Sequence, residues 1–131
     1  MTVDELVRAL ASEEVADRRR AADAAVQDPE LARVGGVPLL DALTDEDEEV
    51  RELIAAALED CGEVEADPAV LLARLEMPDD AVAYWAATLL GRLGERALPV
   101  AGEMRAAKAT ASPDVKARIE RMLVKIEGRD G

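Results

Sequence analysis

The sequence repeats itself with a period of 32 or 33 residues, and this repeat constrains the fold more than any other feature. Val50, Val82 and Val115 each begin a similar run, and Asp17 begins a more divergent one. Counted from the first residue of a run, apolar side chains recur at offsets 0, 4, 7, 8 and 11. At about 100° per residue these offsets fall within one stripe, so each run is predicted to be a helix that buries one face.

A second set of apolar positions precedes each run and predicts a partner helix. These positions lie in residues 6–10, 39–43 and 71–75, and more weakly in 103–107. Each repeat is therefore a predicted helix pair, with boundaries at about 1–34, 35–66, 67–96 and 97–131. We predict one all-α domain over residues 1–131, a right-handed α-α superhelix (solenoid) of about four pairs and roughly eight helices. A four-helix bundle is the competing fold, but it would not require a 33-residue frame.

Residues that start and stop helices fall at the predicted boundaries. Signals for helix starts are Thr2 with Glu5, Thr44 with Asp47, Asp67 before Pro68, and Ser112 before Pro113. Gly62 and Gly94 follow two of the second helices, where a left-handed cap residue is favoured.

The best repeat resembles a HEAT repeat of the short bacterial kind. Its acidic residues are followed by Val50 and Arg51, then by an Ala-Ala-x-Ala-Leu-like run and a closing Gly62. The similarity covers essentially the whole chain and is closest to the HEAT-like repeats of phycobilisome-lyase-type proteins. The third repeat departs in having Ala83 where the pattern has Arg51, and the first repeat departs most, as a polar solenoid end does. The resemblance implies second helices that line a concave face.

The chain is strongly acidic, with 29 acidic and 16 basic residues and a net charge of −13. Such a charge disfavours nucleic acid and anionic membranes as partners. No apolar run approaches the roughly 20 residues that cross a bilayer. Residues 1–10 form an amphipathic pattern without the basic start and apolar run of a secretory signal, so we expect a cytoplasmic protein.

The chain has no histidine and one cysteine, Cys61. Without histidine the commonest general base and metal ligand are missing, so we expect no enzymatic activity, no metal and no cofactor. Cys61 is at offset 11 and is predicted to face the core rather than to act as a nucleophile. The acidic run 45–49 lacks the spaced ligands of a calcium loop and fits a solvated helix N-terminus better.

A candidate binding surface centres on Tyr84. At offset 2 it lies about 200° from the start of its run, on the face away from the core. Trp85, at offset 3, is predicted to pack between adjacent repeats. Small side chains around Tyr84 predict a shallow groove on the concave face, with an aromatic anchor typical of protein interfaces. The predicted protein-binding residues are Arg51, Glu52, Ala55, Glu59, Tyr84, Thr88 and Arg121.

The charge is uneven along the chain. Residues 1–67 contain 20 acidic and six basic residues, whereas residues 68–131 contain nine and ten. The acidic half either attracts a partner with a basic patch or only keeps the protein in solution, and both interpretations stay open.

The predicted function is a non-enzymatic protein-protein interaction module or scaffold that binds a protein or peptide. The alternative, an accessory of bilin attachment to phycobiliproteins, rests on the family resemblance alone. A third hypothesis, the DNA-glycosylase branch of HEAT-like proteins, would require a basic concave face.

Overall fold

The structure, a computed structural model, describes residues 1–128, so the last three residues of the predicted fourth repeat lie outside the described part. The chain divides into two compact units, residues 1–65 (unit 1) and 66–131 (unit 2). Every regular element of the described residues is helical, which confirms the predicted all-α fold.

Unit 1 contains two helix pairs. Its elements are α1 (Val3–Leu10), α2 (Val15–Gln27), α3 (Pro29–Val34), α4 (Gly36–Asp41), a 3-10 turn (Ala42–Thr44) and α5 (Glu48–Asp60). Helix α1 packs against α2, and α3 and α4 pack against α5. The two second helices, α2 and α5, lie side by side and form the main contact of the unit.

Unit 2 repeats this plan. Its described elements are α6 (Pro68–Leu75), α7 (Asp80–Leu93), a 3-10 segment (Gly94–Val100), α8 (Ala101–Ala107) and α9 (Pro113–Glu127). Helix α6 packs against α7 and α8 against α9, while α7 and α9 lie side by side. The first helix of the second pair is divided at Gly35, where φ is −100° and ψ is 19°. The first helix of the fourth pair is preceded by a 3-10 segment that contains Pro99, which has no amide hydrogen to donate. The described residues therefore form nine α-helices and two 3-10 segments.

The buried faces of the second helices lie where the repeat predicts them. In α5, α7 and α9 all fifteen side chains at offsets 0, 4, 7, 8 and 11 are buried, and none is more than 8% exposed. Cys61, at offset 11 after α5, is among them, which confirms its predicted place in the core. At the same five offsets of the divergent first run only Ala21 and Ala25 are buried, so α2 has the weakest apolar stripe of the four.

Most helix starts are as predicted. Thr2 and Glu5 form a capping box, and Asp67 and Ser112 accept hydrogen bonds from the first turns of α6 and α9. The start of α5 differs, because Asp47 and not Thr44 is its cap. The Asp47 carboxylate accepts a hydrogen bond from the Val50 amide, at 3.0 Å.

Thr44 does not reach α5, because the 3-10 turn ends at that residue. Its hydroxyl donates back to the carbonyl of Asp41, at 3.2 Å. The predicted cap was therefore three residues too early. Gly62 and Gly94 both have positive φ angles, of 73° and 58°, but Gly94 has a ψ of −131° and so is not the predicted left-handed cap.

Candidate functional site

The two aromatic residues of the chain are neighbours on α7. The Tyr84 and Trp85 rings are 6.0 Å apart between centroids and nearly perpendicular, at 81°. Both side chains are half-buried, so each presents part of its ring to solvent. An edge-to-face pair of this kind is a favourable arrangement of two aromatic quadrupoles and holds both rings in place.

An arginine lies over each ring. The guanidinium carbon of Arg118, on α9, is 4.5 Å from the Tyr84 ring centroid, and the guanidinium also donates a hydrogen bond to the Tyr84 hydroxyl. The guanidinium carbon of Arg92 is 5.9 Å from the Trp85 ring centroid. Cation–π contacts of this geometry are attractive, and they are strongest where water is partly excluded. Tyr84 is thus fixed by two helices.

Close packing of α7 on α9 brings Arg118 to Tyr84. A Cβ atom added at Gly91 of α7 would lie 2.1 Å from the Met122 sulfur and 2.9 Å from its Cγ. No side chain fits there without movement, so glycine is what allows the two helices to approach this closely. Because the two helices lie so close together, Arg118 contacts Tyr84 although the two residues are 34 positions apart in the sequence.

Thr88 and Arg121 complete the predicted residues in unit 2. Thr88 is only 8% exposed, and its hydroxyl donates to the Tyr84 carbonyl at 3.0 Å, one turn earlier on α7. Thr88 therefore makes its hydrogen bond within α7, to the backbone of Tyr84. Arg121 is exposed on α9, one turn after Arg118.

The other four predicted residues lie on α5 in unit 1. Glu52 and Glu59 are exposed, and Arg51 and Ala55 are half-buried. The Arg51 guanidinium donates to the backbone carbonyl of Asp45, at 2.8 Å, and so braces the turn before α5. The predicted residues thus belong to two units, and the groove that would join them stays a prediction.

The acidic run before α5 is engaged by arginines of α2. Arg18 pairs with Asp45 at 2.8 Å, and both side chains are largely buried. Arg19 pairs with Asp47 and with Glu49. The Arg19 hydrogen bond, together with the Val50 amide, lowers the pKa of Asp47 to about 2. The cluster therefore links two helices of unit 1, and it engages Asp45, Asp47 and Glu49 of the run, while Glu46 and Glu48 are exposed.

Two features are absent from residues 1–128. Among these residues no group of three or more Cys, Asp or Glu side chains is placed to hold a metal ion. None of their helices is both long and apolar enough to cross a membrane.

Arg118 is the main site residue that sequence reasoning missed. It occupies offset 3, where Trp85 stands in the preceding repeat, and that shared position was the available signal. The pairing depends on how closely α7 and α9 approach, which a periodic pattern does not specify.

Comparison with known proteins adds no assignment to this geometry. No protein-family model matches the chain, and no curated protein matches it significantly.

Proposed function

We propose that the chain is a non-enzymatic, cytoplasmic protein-binding module of HEAT-like helix pairs, which uses the outward face of its second helices. One observation carries the proposal. The only two aromatic residues of the chain lie side by side on one such helix, half-exposed, each with an arginine over its ring. Tyr, Trp and Arg are the residues most enriched among the energetic centres of protein interfaces.

The rigidity of Tyr84 supports this proposal. A side chain that must be ordered on binding loses conformational entropy, which weakens the complex. Tyr84 is already held by Arg118 and by Trp85, and its side chain has only two rotatable torsion angles to order. Its exposed part is therefore available to a partner at low entropic cost.

The rival functions have less support. A chain that itself carried a bilin would need a reactive thiol, but Cys61 is buried and its sulfur lies 3.4 Å from the Leu58 carbonyl, while an accessory role in bilin attachment rests on the resemblance alone. A DNA glycosylase would have to bring phosphates to a chain with a net charge of −13.

The test is capture of proteins from the native host on immobilised wild-type chain and on three variants. Tyr84→Ala removes the anchor, Glu52→Arg changes the predicted surface of unit 1, and Leu98→Ala is the control. Leu98 is 48% exposed in unit 2 and lies outside α7 and α9. Circular dichroism first confirms that all variants are folded.

We expect Tyr84→Ala to weaken the captured complex about 30-fold, as for a typical interface centre, while Leu98→Ala changes it little. Loss with Glu52→Arg as well would extend the surface to α5. Equal capture by wild type and Tyr84→Ala would refute the proposal.

A further inference from the structure

Three cations form a row on the outer side of α9. Arg118, Arg121 and Lys125 are spaced by three and four residues, which places them within about 60° of one another around the helix. The buried side chains of α9 lie on a different side. Arg121 and Lys125 are exposed, and Arg118 is half-buried against Tyr84. The row therefore begins at the aromatic anchor and follows the helix for about 10 Å.

No carboxylate of the described residues forms a salt bridge with any of these three cations. Several other arginines form salt bridges, as in Arg18 with Asp45, Arg33 with Glu30 and Arg105 with Glu127. The three differ from other cations without a salt bridge because they share one side of a single helix.

The fold itself does not explain the row. Like charges three or four residues apart repel each other and weaken a helix. Lys125 is in the last turn of α9, where the helix dipole favours a cation, but Arg121 is in the middle of the helix and has no such reason. Asp114 lies on the same side, but it is one turn before Arg118 and joins neither arginine in a salt bridge.

We propose that the face formed by Tyr84, Arg118, Arg121 and Lys125 binds an acidic segment of a partner protein. The segment places two or three carboxylates along the cations and an apolar side chain against the exposed part of Tyr84. Charge complementarity is the argument: the row is uncompensated positive charge, and carboxylates are the groups that pair with arginine in a defined geometry. This inference rests on the proposed protein-binding function.

An acidic protein segment fits better than a nucleic acid. The row holds three cations, and a polynucleotide extending beyond it would meet a chain with a net charge of −13. A short peptide can end where the positive charge ends.

The experiment selects a displayed library of random dodecapeptides on the immobilised full chain. The enriched peptides are then measured by fluorescence anisotropy against wild type, Tyr84→Ala and charge variants at low and high salt. The test variant is Arg121→Glu with Lys125→Glu, and the control is Lys108→Glu with Lys116→Glu, which makes the same change of charge away from the row. Arg121→Gln with Lys125→Gln removes the charges without adding repulsion, in case the reversal disturbs the helix.

We expect enriched peptides to be richer in Asp and Glu than the input library. Their affinity should fall about tenfold or more in both row variants, fall with added salt, and change little in the control. Neutral or basic peptides that still require Tyr84 would overturn this inference and leave the proposed function standing. A library that yields no Tyr84-dependent peptide would overturn both.

Two further measurements test whether a nucleic acid or a second copy of the chain binds this face instead. A labelled single-stranded oligonucleotide is titrated against the same variants, and sedimentation is measured over a range of protein concentrations. Binding of the oligonucleotide through Arg121 and Lys125, or a dimer that the row variants dissociate, would replace the acidic segment and overturn the inference.

Discussion

The two units use their arginines differently. In unit 1, Arg18 reaches from α2 to Asp45 before α5, and its guanidinium also donates to the Ser12 carbonyl at 2.9 Å. In unit 2, α7 and α9 are joined at Gly91 and Met122, and Arg118 lies on an aromatic ring. Charge links the second helices in the first case and close packing does so in the second. Arg121 and Lys125 of unit 2 form no such link and are exposed.

This comparison also changes what net charge implies. Unit 1 is the acidic part of the chain, yet three of the acids at the start of α5, Asp45, Asp47 and Glu49, are paired with Arg18 and Arg19. Unit 2 is nearly neutral in sum, yet Arg118, Arg121 and Lys125 form no salt bridge with any carboxylate of residues 1–128. Charge that is distributed in pairs contributes little to recognition, whereas a small uncompensated patch contributes much.

The largest effect is expected from substitutions in the buried apolar stripe, which α5 of unit 1 and α9 of unit 2 have in common. Ile54 on α5 and Ile119 on α9 occupy offset 4 and are fully buried. Replacing either with alanine should lower the free energy of unfolding by about 3 kcal/mol, because apolar contacts are lost and a cavity is left. Urea denaturation followed by circular dichroism measures this. Val7→Ala, at a 44% exposed position, is the control and should change it by less than about 0.5 kcal/mol.

The next effect tests the role of charge in each unit. Arg18→Met should lower the free energy of unfolding by about 2 kcal/mol, because it leaves the largely buried Asp45 without its charged partner. Arg118→Met should cost less than about 1 kcal/mol, since no carboxylate is left unpaired. The same denaturation experiment compares the two. If Arg118→Met proves as costly as Arg18→Met, the contrast between the units is wrong.

A smaller effect tests the close approach of α7 and α9. Gly91→Ala should cost about 1–2 kcal/mol, because the new methyl group meets Met122 and must displace it. Gly102→Ala is the control: its Cβ would meet nothing within 4 Å in α8, and alanine there should stabilise the helix by up to about 1 kcal/mol. Equal effects of the two substitutions would contradict the packing described here.

The smallest effect at neutral pH concerns Asp47. The folded-state pKa of this carboxyl, about 2, lies below its ordinary value of 3.8, so its pairing stabilises the protein above about pH 4. That contribution is lost as the pH falls toward 2. Asp47→Asn keeps a cap for α5 but removes the charge, so it should be less stable than wild type at pH 7 and differ less at pH 3.

The control for this last prediction is Asp114→Asn, in the first turn of α9. Urea denaturation at both pH values measures each variant. A stability difference for Asp47→Asn that is the same at pH 7 and pH 3 would show that Arg19 does not act through the charge of Asp47.

Much of the fold follows from the sequence because one physical rule governs it. A helix that packs on one side must repeat its apolar residues at offsets 0, 4, 7, 8 and 11, and these residues are buried in α5, α7 and α9. The interruption at Pro99 and the cap at Asp47 are harder to predict from the sequence. Both depend on where a 3-10 segment begins or ends, and local propensity does not fix that point.

The site was less accessible to sequence reasoning. Tyr84 could be placed on the outer face from its offset alone. Its partner Arg118 could not, because the pair forms across α7 and α9 at a distance set by Gly91 and Met122. Thr88 shares that face in projection, but the structure buries it. The angular position of a residue on its own helix does not show whether a neighbouring helix buries its side chain.

The position of the aromatic pair has a spectroscopic consequence. Trp85 is the only tryptophan and Tyr84 the only tyrosine, and their rings are 6.0 Å apart. At that separation excitation of the tyrosine should pass to the tryptophan, so the whole ultraviolet emission of the protein would come from one indole beside the proposed binding face. A ligand that covers this face should shift or quench that emission, and the protein would then report its own occupancy without a label.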